Sequence, residues 1–187
     1  MNTSKNKIFI FTRYSSNSAS VRYRFLQYKD ILELNNFEFI ILPLFDNKFF
    51  INKVILNKLN IFSVFFSYLK KLFKLLIIDK NSLVLIHLEL FPYLPSFGER
   101  ILNFRKIKTI IDLDDAIFLQ YKNSKNFFVK LFLANKFSNM FKLENVIFSG
   151  NEYNKKNAIA LGSRKVHILP TVIPVKKYEK LSFLKKR

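Results

Sequence analysis

The sequence predicts an α/β domain with a doubly wound, mainly parallel sheet and helices on both faces. One reason is the kind of strand present. Aliphatic and β-branched side chains are clustered in residues 109–113 and do not alternate regularly with polar ones, which is typical of a parallel strand buried on both faces. The second reason is the alternation of such strands with helical patterns of about ten or more residues, which favours βαβ units.

Six short runs rich in apolar residues are predicted to be the strands of this sheet. They cover residues 7–12, 37–42, 83–88, 109–113, 145–148 and 166–169. Pro43 is expected to end the second strand, because proline has no N–H to donate to a strand ladder. His87 falls inside the third strand, where a packed and hydrogen-bonded histidine is expected rather than a catalytic one.

Helical patterns separate the strands. They cover residues 21–34, residues 49–78 with a division near 57–60, and residues 96–104, 127–141 and 152–161. Ser18 or Ser20 is expected to cap the first helix, and Ser96 the helix at 96–104. Gly162 is expected to stop the last one.

Residues 61–78 form the most apolar of the helical patterns. One side carries Ser63 and Ser67 together with Lys70, Lys71 and Lys74, while Phe, Leu and Ile cover the rest. The lysines interrupt the apolar run, so a membrane-spanning segment is not expected. Packing against the core with a solvated lysine stripe is the favoured interpretation, and contact with an anionic membrane surface is the alternative.

Length and composition bound the remaining possibilities. The 187 residues fit one domain, expected over residues 1–174, with residues 175–187 as a basic tail or severed linker. The absence of cysteine excludes disulfides and thiolate metal sites. A net charge of +19 favours anionic partners, but no arginine-rich cluster or nucleic-acid motif accompanies it, so nucleic acid is not the expected partner.

The expected location is cytoplasmic, including a peripheral position at the inner face of the membrane. The apolar run near the amino terminus is too short for the core of a signal peptide. Only 3 glycines occur, and neither GxGxxG nor a P-loop motif is present, which weakens dinucleotide and P-loop interpretations.

Three acids, Asp112, Asp114 and Asp115, stand at the carboxyl end of the strand at 109–113. In open α/β sheets that end faces the ligand crevice. Because burying the acids unpaired would be unfavourable, Asp114 and Asp115 are expected to line the cleft, with at least one partly exposed. The alternative is that Asp114 or Asp115 is the N-cap of a helical or irregular segment at 116–121.

The loop after the first strand is rich in small and polar residues, among them Arg13, Ser18 and Ser20. Hydroxyls and backbone N–H groups at a helix amino terminus suit an anion or a sugar, although a plain strand-to-helix turn fits equally well. Arg22 and Arg24 stand in the first helical turn, where a cation opposes the helix dipole by roughly 0.3–1 kcal/mol. Their placement favours an anionic ligand, with solvated surface arginines as the alternative.

Several segments together resemble the amino-terminal half of GT-B glycosyltransferases, specifically family 4, the group 1 transferases. The segments are residues 11–14 (FTRY), 18–25 (SASVRYRF), 89–95 (ELFPYLP), 111–118 (IDLDDAIF), 149–153 (SGNEY) and 169–173 (LPTVI). They occur in the order and spacing of the family across nearly the whole chain, and the combination is more specific than any one of them.

The resemblance implies a Rossmann-like acceptor domain. In such transferases a second, carboxyl-terminal domain binds the nucleotide-sugar, and transfer occurs in the cleft between the two domains. The nucleotide-sugar is a co-substrate, and no cofactor or metal is implied. Residues 112–114 also match the DxD motif of GT-A transferases, but the other motifs resemble GT-B, in which catalysis does not need the metal.

Asp114 and Asp115 are the candidate catalytic residues on this interpretation, at a strand end that often carries a histidine near the reacting sugar. The candidate acceptor-binding residues are Arg13, Ser18, Ser20, Arg22, Arg24, Glu89, Asn151 and Glu152. The implied partners are a glycan or lipid-linked acceptor, a separately encoded donor domain and an anionic membrane surface. The chain alone is expected not to transfer sugar, because positioning both substrates can supply about 7–11 kcal/mol of barrier reduction.

Two other functions fit the sequence: a non-enzymatic basic α/β module that binds anionic membrane or nucleic acid, and a remnant of a truncated gene. Binding to nucleic acid would weaken steeply with salt. An acceptor domain would respond to glycans or lipid-linked sugars instead.

Overall fold

The strands form one parallel sheet. A computed structural model describes residues 6–56, 58, 60–143 and 146–175. Its strands are β1 Asn6–Tyr14, β2 Phe37–Phe45, β3 Leu83–His87, β4 Lys108–Leu113, β5 Val146–Ser149 and β6 Val166–Ile168. They pair in the order β2-β1-β3-β4-β5-β6, each parallel to its neighbour. The predicted doubly wound, Rossmann-like α/β fold is confirmed.

Helices connect successive strands. They are α1 Ala19–Arg24, α2 Lys29–Leu34, α3 Asn47–Phe50, α4 Ile61–Ile77, α5 Phe97–Phe104, α6 Phe118–Lys122, α7 Phe127–Leu133, α8 Lys136–Phe141 and α9 Glu152–Ala160. A 3-10 turn, Leu26–Tyr28, joins α1 to α2, and a π-helical turn, Ile51–Ile55, follows α3. Residues 57, 59 and 145 and most of the predicted tail, residues 176–187, lie outside the described residues, so the tail stays a prediction.

The two faces of the sheet carry different helices. One face packs against α4 to α9 around a large core that includes Phe11, Ile86 and Ile111. The other face packs against the segment from α1 to α2, with Ile10 and Phe25 among its buried residues. This division follows from the direction of the connections. The connection from β1 to β2 runs in one direction along the sheet and all later connections run in the other, so right-handed crossovers place their helices on opposite faces.

Two helices predicted as continuous are interrupted. The helix at 21–34 breaks at Phe25, whose φ of −128° leaves the helical range and whose side chain is buried on the sheet. The helix at 127–141 breaks at Asn135, after which α8 begins with Lys136 and Phe137 buried. Tertiary packing overrides the helical pattern at both breaks.

The predicted end of the second strand at Pro43 is wrong, because β2 continues to Phe45. Asn6 donates its N–H to the carbonyl of Asn36, and Thr12 is the Cα partner of Pro43. In this parallel register the even-numbered residues of β2 bond β1, so the nitrogen of Pro43 faces the open edge of the sheet. The missing N–H therefore removes no ladder hydrogen bond.

The predicted solvated lysine stripe of α4 is wrong for Lys71, which is only 2 % exposed. Its Nζ donates to the Thr12 carbonyl at 3.1 Å and lies over the Phe11 ring. Lys71 shares the inward face with Tyr68 and Leu75 at helical spacing, whereas several phenylalanines of α4 point outward.

Among the described residues, none of the helices combines the length and the apolarity that crossing a membrane requires.

Replacing Lys71 by Met should stabilise the domain in a pH-dependent way. Burial lowers the pKa of Lys71 from 10.5 to about 7. Between these pH values the unfolded chain binds more protons than the folded chain, so the stability of the native protein rises with pH there. We expect Lys71→Met to raise the free energy of unfolding by about 2–4 kcal/mol at neutral pH and by progressively less towards alkaline pH.

Urea unfolding at a series of pH values checks this prediction. Lys70→Met is the matched control, because Lys70 is exposed and adjacent in sequence, and it should change stability by less than about 0.5 kcal/mol. A gain for Lys71→Met of equal size at every pH would contradict the titration argument.

Candidate functional site

The candidate site lies where β1 and β3 meet. The two strands are neighbours, but β1 connects outward to β2 and β3 connects to β4 on the other side, which makes their carboxyl ends a topological switch point. Arg13, His87 and Asp114 stand at or just after the carboxyl ends of β1, β3 and β4. Ligands of open α/β sheets bind in the crevice at such a point.

Arg24 and Asp112 form a buried ion pair beneath this crevice. The guanidinium donates Nε–H to Asp112 Oδ2 at 2.6 Å and a second hydrogen bond from Nη2 to Oδ1. Arg24 also donates to the Leu169 carbonyl at 3.0 Å and to Thr171 Oγ1 at 2.9 Å. Arg24, predicted to bind acceptor, thus ties α1 to β4 and to the segment after β6.

Burial disfavours the charged form of both partners. It raises the pKa of Asp112, whereas the hydrogen bonds and charge of Asp112 outweigh burial at Arg24 and raise the arginine's pKa. Because an arginine stays protonated at ordinary pH, Asp112 always has a cation beside it, and the charged form of Asp112 depends on Arg24.

Asp114 is paired with His87. His87 Nε2 lies 3.1 Å from Asp114 Oδ1, while His87 Nδ1 is buried with no hydrogen-bond partner among the described residues. Burial alone would raise the pKa of Asp114, but the hydrogen bond from His87 and the charge of Arg24 outweigh it and lower that pKa. Asp114 is therefore a carboxylate that accepts the Nε2–H of His87.

Asp115 is exposed beside Asp114, which is partly buried. Neither caps a helix as the alternative interpretation expected, because α6 begins at Phe118 with Ile117 at the N-cap. Asp114 is held instead by His87, and both acids stand in the turn after β4, at the carboxyl edge of the sheet.

Glu89 is the centre of a second buried polar cluster. It accepts hydrogen bonds from Tyr121 Oη at 2.8 and 3.0 Å and from Lys136 Nζ, and Arg13 Nη2 lies 3.7 Å away. Lys136 also donates to the Phe91 carbonyl at 2.7 Å. Burial and the charge of Glu89 raise the pKa of Tyr121, so its hydroxyl remains a donor. Glu89, predicted to bind acceptor, is thereby engaged within the protein, while Arg13 is partly exposed at the crevice.

Arg22 stabilises the loop after β1. Arg22 Nη1 donates to the carbonyls of Ser16 and Asn17 at 3.0 and 2.8 Å. Ser18 occupies the N-cap position of α1 without a side-chain capping bond, and Ser20 is half-buried in the first turn. Of the predicted ligands in this segment, Arg22 is engaged with loop carbonyls, whereas Ser18 and Ser20 stand at the start of α1.

The end of β5 packs closely on the acids. A Cβ on Gly150 would lie 3.0 Å from the Asp114 Cα, so a larger residue here would have to displace the backbone of the turn after β4. Asn151 caps α9 by accepting the N–H of Asn154 at 2.8 Å, and Asn154 donates to the Asp114 carbonyl at 3.0 Å. Asn151 and Glu152 are both exposed at this edge, beside the turn that carries Asp114.

His87, Asp112 and Asp114 could offer ligand atoms within 4.8 Å of one another to a metal ion. Both oxygens of Asp112 accept hydrogen bonds from Arg24, so a cation would have to displace the guanidinium. Divalent cations such as Mg²⁺ and Ca²⁺ take six or more oxygen ligands. The three residues fit a hydrogen-bonded ion-pair cluster better than a metal site.

The sequence interpretation missed the roles of Lys136 and Tyr121 at Glu89. A signal existed for Lys136, which stands at inward helical spacing between Leu133 and Met140. A lysine on an apolar face is expected to have a buried polar partner, either an acid or a backbone carbonyl. For Tyr121 no comparable pattern exists, because its partner is 32 residues away in sequence.

No family model matches the chain, and no match to it is found among the curated proteins.

Proposed function

We propose that this chain provides the acceptor-side domain of a GT-B-type glycosyltransferase, which transfers a sugar from a nucleotide-sugar to a glycan or lipid-linked acceptor. The observation that carries the proposal is the placement of Arg13 at the carboxyl end of β1 and of Asp114 and Asp115 after β4, since these two strands flank β3 in the parallel sheet. The family resemblance of the same segments supports it.

The polar groups at the crevice suit an acceptor with sugar hydroxyls and a diphosphate. Carboxylates and the exposed Asn151 can hydrogen-bond hydroxyls, and the partly exposed Arg13 can pair with a phosphate. With its lowered pKa, Asp114 is a weak base. Its role is to orient the attacking hydroxyl and to stabilise positive charge that develops on the transferred sugar ring.

A donor domain is the second part of the proposal. The described residues form one α/β sheet, which offers one wall of a cleft. Donor phosphate contacts and exclusion of water would come from a second domain that closes over this wall.

The chain should therefore bind acceptor but not turn over donor. We expect Asp114→Asn to weaken binding of a short-chain polyprenyl-diphosphate sugar about tenfold to a hundredfold, since a hydrogen bond to a charged group contributes about 1.5–3 kcal/mol. Calorimetric titration measures this affinity. Incubation with radiolabelled nucleotide-sugars and a membrane-lipid extract should give no transfer.

Asp30→Asn is the matched control, because Asp30 is an exposed acid in α2, away from the crevice. It should leave acceptor affinity unchanged. Equal binding by the parent chain and by Asp114→Asn, or sugar transfer by the chain alone, would refute the proposed role.

A further inference from the structure

The outward face of α4 is more apolar than the face that packs on the sheet. Its exposed residues recur every three or four positions: Phe62, Phe66, Leu69 and Phe73. The buried face, in contrast, contains Lys71. An ordinary surface helix turns its aromatic residues inward and its lysines outward, so α4 presents its apolar side to the surroundings.

Helix α7 carries a second group of exposed apolar residues. Its members are Phe127, Phe128, Leu131 and Phe132. Phe97 connects the two helices, because it lines both the groove beside α4 and a small pocket bordered by Phe132. We refer to the exposed residues of α4 and α7 together as the α4–α7 surface. Exposed apolar patches of this kind on soluble domains mark interaction sites.

An apolar groove of about 520 Å³ belongs to the same surface. Phe65 and Leu69 of α4 form one wall, and Tyr93 and Leu94 form the other. The second wall belongs to the loop after β3, so the groove brings the α4–α7 surface to the crevice edge of the sheet.

Charge around the α4–α7 surface has one sign. Residues 47–78 contain six lysines and no acid, and residues 116–143 contain five lysines and no acid. Lys71 and Lys136 are buried, whereas the other nine lysines are at least partly exposed. Lys70 and Lys130 are exposed on α4 and α7 themselves. A second copy of this chain, with its net charge of +19, would be repelled, whereas anionic lipid headgroups are complementary.

We infer that the α4–α7 surface docks on an anionic lipid bilayer, with its aromatic side chains in the interface and its lysines at the headgroups. An amphipathic helix with a basic border lies in the plane of the membrane in this way. The inference does not rest on the proposed transferase activity, because it requires only the apolar face and the lysines.

Single-tryptophan variants test this inference, since the chain contains no tryptophan. Phe66→Trp places the probe on the α4–α7 surface, where residue 66 is 64 % exposed. Leu34→Trp is the control on the other face of the sheet, where residue 34 is 86 % exposed. With vesicles of phosphatidylcholine and phosphatidylglycerol, we expect a blue shift and quenching by brominated lipid for Phe66→Trp only. Equal responses of the two probes, or no response, would overturn the inference.

Vesicle sedimentation tests the electrostatic part. Lys70→Gln and Lys130→Gln should each reduce the partition coefficient about fivefold, and added salt should reduce it further. Vesicles of phosphatidylcholine alone should bind more weakly than the anionic ones. Binding that is equally strong on neutral and anionic vesicles would contradict the inference and would indicate another partner for this surface. A blue shift of Phe66→Trp that occurs without lipid and grows with protein concentration would show that a second copy covers the surface.

Discussion

An Arg24→Met variant should lose about 3–5 kcal/mol of folding stability, because the buried carboxylate of Asp112 would be left without its cation. Asp112 is only 2 % exposed, and Arg24 supplies the hydrogen bonds to both of its oxygens. The variant also removes the donors to Leu169 and Thr171, which fix the segment after β6 to α1. Urea unfolding followed by circular dichroism measures the loss.

Arg22→Met is the control for this variant. Arg22 lies in the same helix, but it is exposed and donates to loop carbonyls instead of a buried carboxylate, so its replacement should change stability by less than about 1 kcal/mol. The double variant Arg24→Met/Asp112→Leu should recover most of the stability, because replacing both members of a buried ion pair by apolar residues is often close to neutral. If the double variant were no more stable than Arg24→Met, the unpaired carboxylate of Asp112 could not be the cause of the loss.

A Lys136→Met variant should lose a similar amount, about 3–5 kcal/mol. Glu89 would keep the Tyr121 hydroxyl but lose its buried cation, and Arg13 at 3.7 Å is only a partial substitute. The Phe91 carbonyl would lose a donor at the same time. Because Glu89 lies in the loop after β3, two residues beyond the end of the strand, we also expect weaker order in this loop, which forms one wall of the apolar groove.

Chemical denaturation of Lys136→Met, Glu89→Gln and the double variant gives the coupling between the two residues. We expect a coupling of more than about 2 kcal/mol for this buried pair. Lys130→Met in α7 is the matched control, since Lys130 is exposed and only six positions earlier. Additive losses would show that Lys136 acts independently of Glu89.

The sequence was sufficient to locate the sheet. Residues 109–113 and the other apolar runs became strands within a few residues of their predicted ends, because burial on both faces leaves a continuous apolar pattern. Helix breaks were less visible. The break at Phe25 depends on a side chain that packs on β1, and such a contact leaves no local signal.

The place of the three acids at the end of a strand was predictable from the sequence, but their pairing with cations was not. Three acids after an apolar strand indicate the carboxyl end of β4, and the structure brings Asp114 and Asp115 there. Which acid pairs with which cation depends on contacts between residues that are far apart in the sequence. Arg24 and Asp112 are 88 positions apart, and sequence pattern alone cannot distinguish a ligand-binding arginine from one that closes an internal ion pair.

The orientation of Pro43 also bears on how the protein avoids self-association. β2 is the edge strand of the sheet, nine residues long and strongly apolar, and a strand of that kind can recruit the backbone of another molecule by strand addition. Recruitment needs an uninterrupted row of donors and acceptors along the free edge. Since the nitrogen of Pro43 faces that edge and carries no hydrogen, an incoming strand would meet a gap in the row, which opposes fibril-like growth from β2.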